Sequence, residues 1–259
     1  MMRPFFIALQ FLTRIPVRLK DNPNEKQTAA SQLYYPLIGL LIGVLLILLA
    51  WVSQWVLPDV PTMLRAAIIL TGWVLISGGL HLDGLADSAD AWAGGLGDRD
   101  KTLAIMKDPA CGPAGVVSIV LLLLLKFAAL HALLEASASA SMPNLPLLVI
   151  VIAPMLARTV PSLLFLTTPY VRQHGLGSAL VTGLPRRGLV FVIAAVVVSV
   201  LLLAGSMGLW LVLAVLIVFV LARRLMIQRI GGVTGDVAGA LIEITEVSVL
   251  VCALLFYSQ

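Results

Sequence analysis

The first long apolar stretch, residues 33–57, reads LYYPLIGLLIGVLLILLAWVSQWVL and contains no charged side chain. A helix of about 20 apolar residues is long enough to cross the hydrocarbon core of a bilayer. Comparable stretches recur at 64–82, 113–134, 146–167, 188–205, 208–222 and 236–257. Inside lipid, backbone polar groups must be satisfied within the segment, so such stretches fold as helices. The sequence therefore predicts an all-α integral membrane protein, a polytopic helical bundle of about seven transmembrane helices.

The composition supports a single membrane domain. Of the 259 residues, 60% are hydrophobic and 12% are charged, whereas soluble domains carry about twice that charged fraction. We predict one polytopic domain over residues 1–259, in which 1–32 form an N-terminal interfacial and cytoplasmic segment. The two cysteines, Cys111 and Cys252, lie far apart in the chain, which argues against a disulfide framework or a thiolate metal site.

Basic residues predict the orientation of the chain in the membrane. They concentrate before the first apolar stretch and in alternate loops, such as those with Arg99, Arg172 and Arg229, whereas the opposite loops hold only Arg65. Loops rich in Lys and Arg stay in the cytoplasm. We therefore expect a multi-pass protein of the cytoplasmic (inner) membrane with a cytoplasmic N-terminus and an active site on the cytoplasmic face.

The residues that follow the second apolar stretch form the first candidate site. Gly78–Asp90 reads GGLHLDGLADSAD and places Asp83, Asp87 and Asp90 at spacings of four and three, so the three share one face of a helix. Three adjacent carboxylates repel one another unless a cation neutralises them, and their oxygens suit Mg²⁺. We predict that they bind one or two Mg²⁺ ions that contact a diphosphate. A solvated helix end is the simpler alternative.

Residues on either side of this acidic face extend the candidate site. His81 is a candidate general base if the Gly78–Gly79 pair bends the helix, and otherwise has a structural role. Arg99 and Lys107, in the Gly-rich loop 91–112, are candidates for binding an anionic substrate. The alternative is that a cytoplasmic loop is basic without any catalytic role.

The last apolar stretch opens on a second candidate region. Gly231–Asp236 reads GGVTGD, and its glycines allow a turn whose amides face an anion. Gly235 is a candidate for substrate binding and Asp236 for metal binding. A plain N-cap is the alternative for Asp236.

Several charged residues lie inside the predicted spans. Glu243 and Glu246 fall about 10–15 Å into the last span, and Arg158 lies in the middle of the fourth span. Arg158 either pairs with one of these carboxylates or lines a recessed substrate cavity, because a charge at this depth needs a partner. Lys126 and His131, in the third span, are expected to reach the membrane interface and are left out of the site.

Taken together, the motifs resemble one enzyme family. The stretch 78–90, IMKD at 105–108 and GGVTGD at 231–236, with FLTRIP at 11–16 and YPLIG at 35–39, is similar to the cobalamin synthase family. The resemblance runs nearly end to end, and PACGPAG at 109–115 is its least familiar part. It implies a Mg²⁺-dependent transferase of vitamin B12 biosynthesis. Such an enzyme joins adenosylcobinamide-GDP to α-ribazole, or to α-ribazole 5′-phosphate, and releases GMP.

The resemblance also implies cofactor and partners. Mg²⁺ is the cofactor, the partners are the two substrates and the lipid bilayer, and no nucleic acid is involved. A homo-oligomer or a complex with other corrinoid-assembly enzymes is compatible with it. It leaves open which of Asp87, Asp90 and His81 accepts the proton of the attacking hydroxyl.

Two other functions are compatible with parts of the sequence. A secondary transporter would use Asp83, Arg158, Glu243 and Glu246 for ion coupling, but its site would lie near the mid-plane of the membrane. Here the acidic and basic groups cluster toward one face. An enzyme acting on prenyl diphosphates would share the aspartate spacing and would favour a deep, aromatic-lined lipid cavity.

Overall fold

The computed structural model describes residues 2–19, 21–139, 144–172 and 176–257. Within these ranges the chain forms helices and no strand. The helices are α1 Arg3–Leu12, α2 Glu25–Ser31, α3 Tyr35–Val56, α4 Thr62–Ser77, α5 Leu80–Gly95, α6 Arg99–Ile105, α7 Pro113–Ser139, α8 Asn144–Thr167, α9 Leu176–Val181, α10 Arg186–Ile230 and α11 Gly235–Tyr257.

In the described ranges, five helical segments are long and apolar enough to cross a membrane. They are α2 continued into α3, α7, α8, α10 and α11. Helices α4 and α5 pass the same test only as a pair, which would make six spans. This architecture confirms the predicted all-α polytopic membrane fold.

Helix α10 explains why the sequence indicates about seven spans. Its backbone is non-helical at Gly205 (φ 54°, ψ −129°). Arg186, at the start of α10, donates to the carbonyl oxygen of Leu166, and Arg223, near its end, donates to that of Thr167. A straight helix of this length would hold the two arginines more than 50 Å apart, at about 1.5 Å per residue. Since both reach the same end of α8, α10 is a hairpin of two arms, in agreement with two separate predicted spans.

The second predicted span, 64–82, is wrong at its C-terminal end. Helix α4 ends at Ser77, and Gly78 and Gly79 follow with φ of 72° and 73°, a conformation that glycine adopts without steric cost. Helix α5 then leaves at 87° to α4. The corner is held by Arg14, whose backbone N–H donates to the last turn of α4 and whose guanidinium donates to the Gly78 carbonyl. The acidic stretch therefore forms a helix of its own, nearly perpendicular to α4.

Two glycines of α3 allow close contact with α8. A Cβ atom at Gly39 would lie 2.3 Å from the carbonyl oxygen of Pro154, and one at Gly43 would lie 2.6 Å from the Cα of Val151. No side chain fits at either position. Small residues spaced by four allow the backbones of membrane helices to approach closely, which replaces the missing hydrophobic driving force with van der Waals packing.

We expect Gly39→Ala to destabilise the protein by about 1–3 kcal/mol, because a rigid backbone atom must move to admit the methyl group. Gly72→Ala is the matched control. Its Cβ would meet only a terminal methyl of Leu49, which can rotate away. Thermal unfolding of both variants in detergent measures the difference. Equal shifts in Tm would contradict the close-packing argument.

A cluster of four charged side chains lies in the middle of the bundle. Lys126 donates to Glu243 Oε2 at 2.8 Å and to Glu246, and Arg158 pairs with Glu246. Each of the four is at most 3% exposed, and the Trp73 indole N–H donates to Glu246 at 3.1 Å. Their two positive and two negative charges cancel. The prediction that Lys126 reaches the membrane interface was wrong, because two carboxylates of α11 face it inside the bundle.

Candidate active site

A cavity of about 240 Å³ opens between α1, α3, α5, α8, α9 and α11. Its polar side consists of His81, Asp83, Arg172 and Asp236, with Gly235 beside them. Four aromatic residues line it as well: Phe11, Tyr35, Phe165 and Tyr170. Charged groups suited to phosphate and rings suited to a flat organic group therefore share one space.

The segment after α8 is tied to the start of α11 by backbone hydrogen bonds. The N–H of Val171 donates to Val233 O at 3.0 Å, and the N–H of Val233 donates to Pro169 O at 2.9 Å. This short parallel pairing brings Arg172 to Asp236, where Nη2 and Oδ2 lie 2.7 Å apart. The ion pair at the cavity wall thus depends on two segments that are distant in sequence.

Thr234, and not Asp236, is the N-cap of α11. Its hydroxyl oxygen accepts a hydrogen bond from the N–H of Val237 at 3.4 Å, as in a standard N-cap. The same hydroxyl lies 3.2 Å from Asp236 Oδ2, which also receives Arg172. The capping alternative for Asp236 therefore does not hold, and its carboxylate is turned toward the cavity.

The three aspartates of α5 have different surroundings. Asp83 is exposed and lines the cavity, whereas Asp87 is half-buried and lies outside its lining. The negative charges of Asp83 and Asp236 nevertheless act on Asp87. Asp90 accepts hydrogen bonds from the N–H groups of Gly112 at 2.7 Å and Gly115 at 2.9 Å, one on each carboxylate oxygen. Asp90 thus anchors the N-terminus of α7, and its predicted metal and proton-transfer roles stay predictions.

We expect Asp90→Ala to lower the stability by about 1–2 kcal/mol, because two amides at the start of α7 lose their acceptor. Asp108→Ala is a matched control, since Asp108 is exposed and bonds only locally, to the N–H of Ala110. Thermal unfolding in detergent compares the two. An unchanged Tm for Asp90→Ala would refute the anchoring role.

His81 is buried at the cavity wall and is 3% exposed. Among the described residues, neither its Nδ1 nor its Nε2 has a hydrogen-bond partner. The bend at Gly78–Gly79, the condition for a general base at this position, is present. His81 is therefore a buried imidazole at the cavity wall whose two nitrogens lack a partner in the described part of the chain.

Three residues predicted to bind substrate lie away from the cavity lining. Arg158 pairs with Glu246 in the buried cluster, which is the ion-pair alternative for this residue. Arg99 donates from Nε to the carbonyl oxygen of Ile230 at 3.0 Å and so covers the end of α10. Lys107 is exposed on the segment after α6. The structure thus brings together His81, Asp83, Gly235 and Asp236, but not these three.

The acidic groups fit a metal that the substrate helps to hold. Over the described ranges, no three His, Cys, Asp or Glu side chains are grouped closely enough to bind a metal ion by themselves. The predicted three-aspartate site is therefore not preformed. Mg²⁺ in phosphoryl-transfer sites is usually held by one or two carboxylates together with substrate phosphates. Asp83 and Asp236 offer such oxygens at the cavity.

Arg172 and Tyr170 are site residues that sequence reasoning missed. Arg172 was counted only among the loop cations that predict orientation, and no local pattern separates it from the others. Tyr170 follows Pro169 without any motif, yet it lines the cavity. Burial raises the pKa of the Tyr170 hydroxyl, so the hydroxyl stays protonated and can donate a hydrogen bond. Both residues owe their place to the pairing with Val233.

Comparison with known proteins identifies the family. The family model described as cobalamin-5-phosphate synthase matches residues 4–254, almost the whole chain. The chain belongs to the cobalamin-5-phosphate synthase family. It is therefore an enzyme, a transferase of cobalamin biosynthesis, as the motifs led us to expect.

Curated relatives of this synthase family are similar over nearly their full length. The protein of Pseudomonas fluorescens (strain Pf-5), named adenosylcobinamide-GDP ribazoletransferase, is 51% identical over 255 residues, covering 98% of this chain and 100% of its own. The proteins of Pseudomonas entomophila (strain L48) and Pseudomonas putida (strain GB-1) carry the same name. They are 50% and 51% identical, over 96% of this chain and over 98% and 97% of their own. No solved structure matches the chain.

Proposed function

We propose that this family member is a Mg²⁺-dependent adenosylcobinamide-GDP ribazoletransferase and that the described cavity is its active site. The names of the relatives support the substrates. One observation carries the assignment: aromatic residues line the same cavity as His81, Asp83, Arg172 and Asp236. An enzyme that joins a nucleoside to a diphosphate needs both kinds of surface.

The proposed reaction is a substitution at phosphorus. The ribose 3′-hydroxyl oxygen of α-ribazole, or of its 5′-phosphate, attacks the phosphorus atom that carries cobinamide. A new P–O bond forms, the bond from that phosphorus to the bridging oxygen breaks, and GMP leaves with the bridging oxygen. The hydroxyl proton passes to a base. The attacking and leaving oxygens must lie in line, so catalysis depends on positioning and charge stabilisation.

Each residue on the polar side of the cavity has a role in this scheme. Asp83 and Asp236 would hold Mg²⁺ together with the diphosphate, and the ion would offset the negative charge of the phosphoryl group. Arg172 orients Asp236 through their 2.7 Å contact and adds positive charge beside the phosphates. His81, buried and unpartnered among the described residues, is the group we assign to accept the proton. The charge of Asp87 adds to the attraction for a cation.

We further propose that the site opens to the cytoplasm and that the protein lies in the inner membrane. Both ends of the α10 hairpin, at Arg186 and Arg223, reach the end of α8 that Arg172 follows. This gathers basic residues at one end of the bundle, which the positive-inside rule assigns to the cytoplasm. The bilayer covers the apolar helices, and assembly with itself or with other corrinoid-assembly enzymes stays a prediction.

The direct test is GMP release by the purified protein. Adenosylcobinamide-GDP, α-ribazole and Mg²⁺ are incubated with protein in detergent or nanodiscs, and GMP and the corrinoid product are followed by chromatography. We expect activity that EDTA abolishes and added Mg²⁺ restores. Parallel reactions with α-ribazole 5′-phosphate compare the two acceptors. Folded protein that releases no GMP with either acceptor would overturn the proposal.

The two alternative functions are less well supported. The acids considered for ion coupling, Glu243 and Glu246, are already paired with Lys126 and Arg158, and the chain belongs to an enzyme family. The cavity has the aromatic lining expected for a prenyl diphosphate enzyme. The family match nevertheless favours a corrinoid substrate over a prenyl one.

A further inference from the structure

We infer that the cavity receives α-ribazole, with its benzimidazole ring among the aromatic residues, and that the corrinoid nucleotide stays at the open side. This inference deepens the proposed function and rests on it. It assigns a separate place to each of the two substrates, which the names of the relatives do not do.

Two aromatic pairs line the cavity. Phe11 and Tyr35 are stacked, with ring centres 6.2 Å apart and planes at 22°. Phe165 and Tyr170 meet edge to face, with ring centres 6.3 Å apart and planes at 61°. All four residues contribute to the lining. Faces and edges of aromatic side chains favour a flat ring placed against them.

The size of the cavity separates the two substrates. Its volume is about 240 Å³. Pockets for drug-sized ligands typically measure about 300–1,000 Å³, so this cavity is slightly smaller than that range. A bicyclic base with one ribose is a ligand near the lower end of this range. A corrin macrocycle with its side chains and nucleotide is several times larger. Only the nucleoside can be enclosed in this cavity. The carboxylate of Asp83 is exposed, and it marks the open side of the cavity, where the larger substrate binds.

The remaining lining favours benzimidazole over the guanine of the GDP group. Guanine carries several donors and acceptors on its edges, which would need polar partners when buried. Apolar side chains make up much of the remaining lining: Leu12, Leu80, Pro161, Leu180 and Ile242. A benzimidazole nucleoside has a single free ring nitrogen and an otherwise apolar base, so its burial leaves few polar groups without partners.

This placement also satisfies the geometry of the reaction. His81 is buried at the wall of the same cavity, and its two ring nitrogens have no hydrogen-bond partner among the described residues. A ribose hydroxyl bound in the cavity would supply that partner. The attacking oxygen then approaches from inside the cavity. Because the leaving oxygen must lie on the opposite side of the phosphorus, GMP departs toward the open side.

Phe165→Leu tests the inference. It removes a cavity ring and keeps an apolar side chain, so we expect KM for α-ribazole to rise about fivefold or more, while KM for adenosylcobinamide-GDP changes less than about twofold. Phe219→Leu is the matched control. Phe219 is similarly buried, at 7% against 4% exposed, but it lies on α10 outside the cavity lining. A rise confined to KM for adenosylcobinamide-GDP, or equal effects of the two variants, would overturn the inference.

Binding measurements on the unmodified protein separate this inference from the proposed function. Calorimetry with α-ribazole alone requires no turnover, and free 5,6-dimethylbenzimidazole should compete with α-ribazole but not with adenosylcobinamide-GDP. Competition against adenosylcobinamide-GDP instead would place guanine or corrinoid in the cavity and overturn the inference while GMP release continues. Absence of GMP release, by contrast, contradicts the function itself.

Discussion

We expect Asp83→Asn to lower kcat by more than about a hundredfold at saturating Mg²⁺, with folding and membrane insertion unchanged. The substitution keeps the shape of the side chain and removes its charge. Asp83 is exposed at the cavity and forms no ion pair within the described part of the chain, so its replacement breaks no salt bridge there. Loss of a side chain that only orients a metal ligand typically costs about 10–100-fold, and loss of a direct ligand costs more. GMP release at several Mg²⁺ concentrations measures the effect.

Two comparisons make the Asp83 result specific. Asp100→Asn is the matched control, because Asp100 is an exposed aspartate of α6 outside the cavity lining, and its replacement should leave kcat within about twofold of the parent enzyme. Asp87→Asn should reduce kcat less than Asp83→Asn, since Asp87 also lies outside the lining. Near-normal turnover of Asp83→Asn would remove Asp83 from the metal site. A greater loss at Asp87 would move the ligand role to that residue.

The largest effect on stability is expected from Lys126→Met. The variant leaves Glu243 and Glu246 with one cation, Arg158, in the interior of the bundle. Breaking a buried pair from one side costs about 3–5 kcal/mol, because the remaining charge has no compensation. We therefore expect poor insertion or a large drop in Tm, measured by size-exclusion chromatography and thermal unfolding in detergent. Lys101→Met is the control, because Lys101 is an exposed lysine of α6. Its Tm should equal that of the unmodified protein.

A second substitution distinguishes the net charge of the cluster from the contact between Lys126 and Trp73. Glu243→Gln combined with Lys126→Met restores a neutral cluster, since Arg158 and Glu246 remain paired. We expect the double variant to regain most of the lost Tm. If the double variant is no more stable than Lys126→Met alone, the contact of the Lys126 ammonium with the Trp73 ring, 4.5 Å from the ring centre, would account for the loss instead of the net charge of the cluster.

Sequence reasoning predicted the helices well because their signals are local. The uncharged stretch 33–57 contains α3, and the spacing of Asp83, Asp87 and Asp90 lies within the single helix α5. The helix break at Gly205 also follows from glycine in an otherwise apolar run. The motif at 78–90 led to the correct family, since it is long and specific.

The surroundings of individual side chains were less predictable. Asp90 shares a helical face with Asp83, but the chain that follows α6 returns to it and occupies both of its oxygens with the amides of Gly112 and Gly115. The sequence predicts that Lys126 reaches the membrane interface, because its own helix contains no partner for it. Its carboxylate partners, Glu243 and Glu246, come from a helix more than a hundred residues later in the chain.

The sequence by itself therefore determined that this protein is an all-α membrane enzyme of the cobalamin synthase family, and which stretch carries its acidic residues. These conclusions need only the length, hydropathy and order of residues along the chain. The tertiary structure alone decided that α5 turns away from α4, that Asp83 and Asp236 share a cavity while Asp90 anchors α7, and that Arg172 meets Asp236. The reason is physical: such neighbours are set by packing and hydrogen bonds between segments distant in sequence, and no local pattern records them.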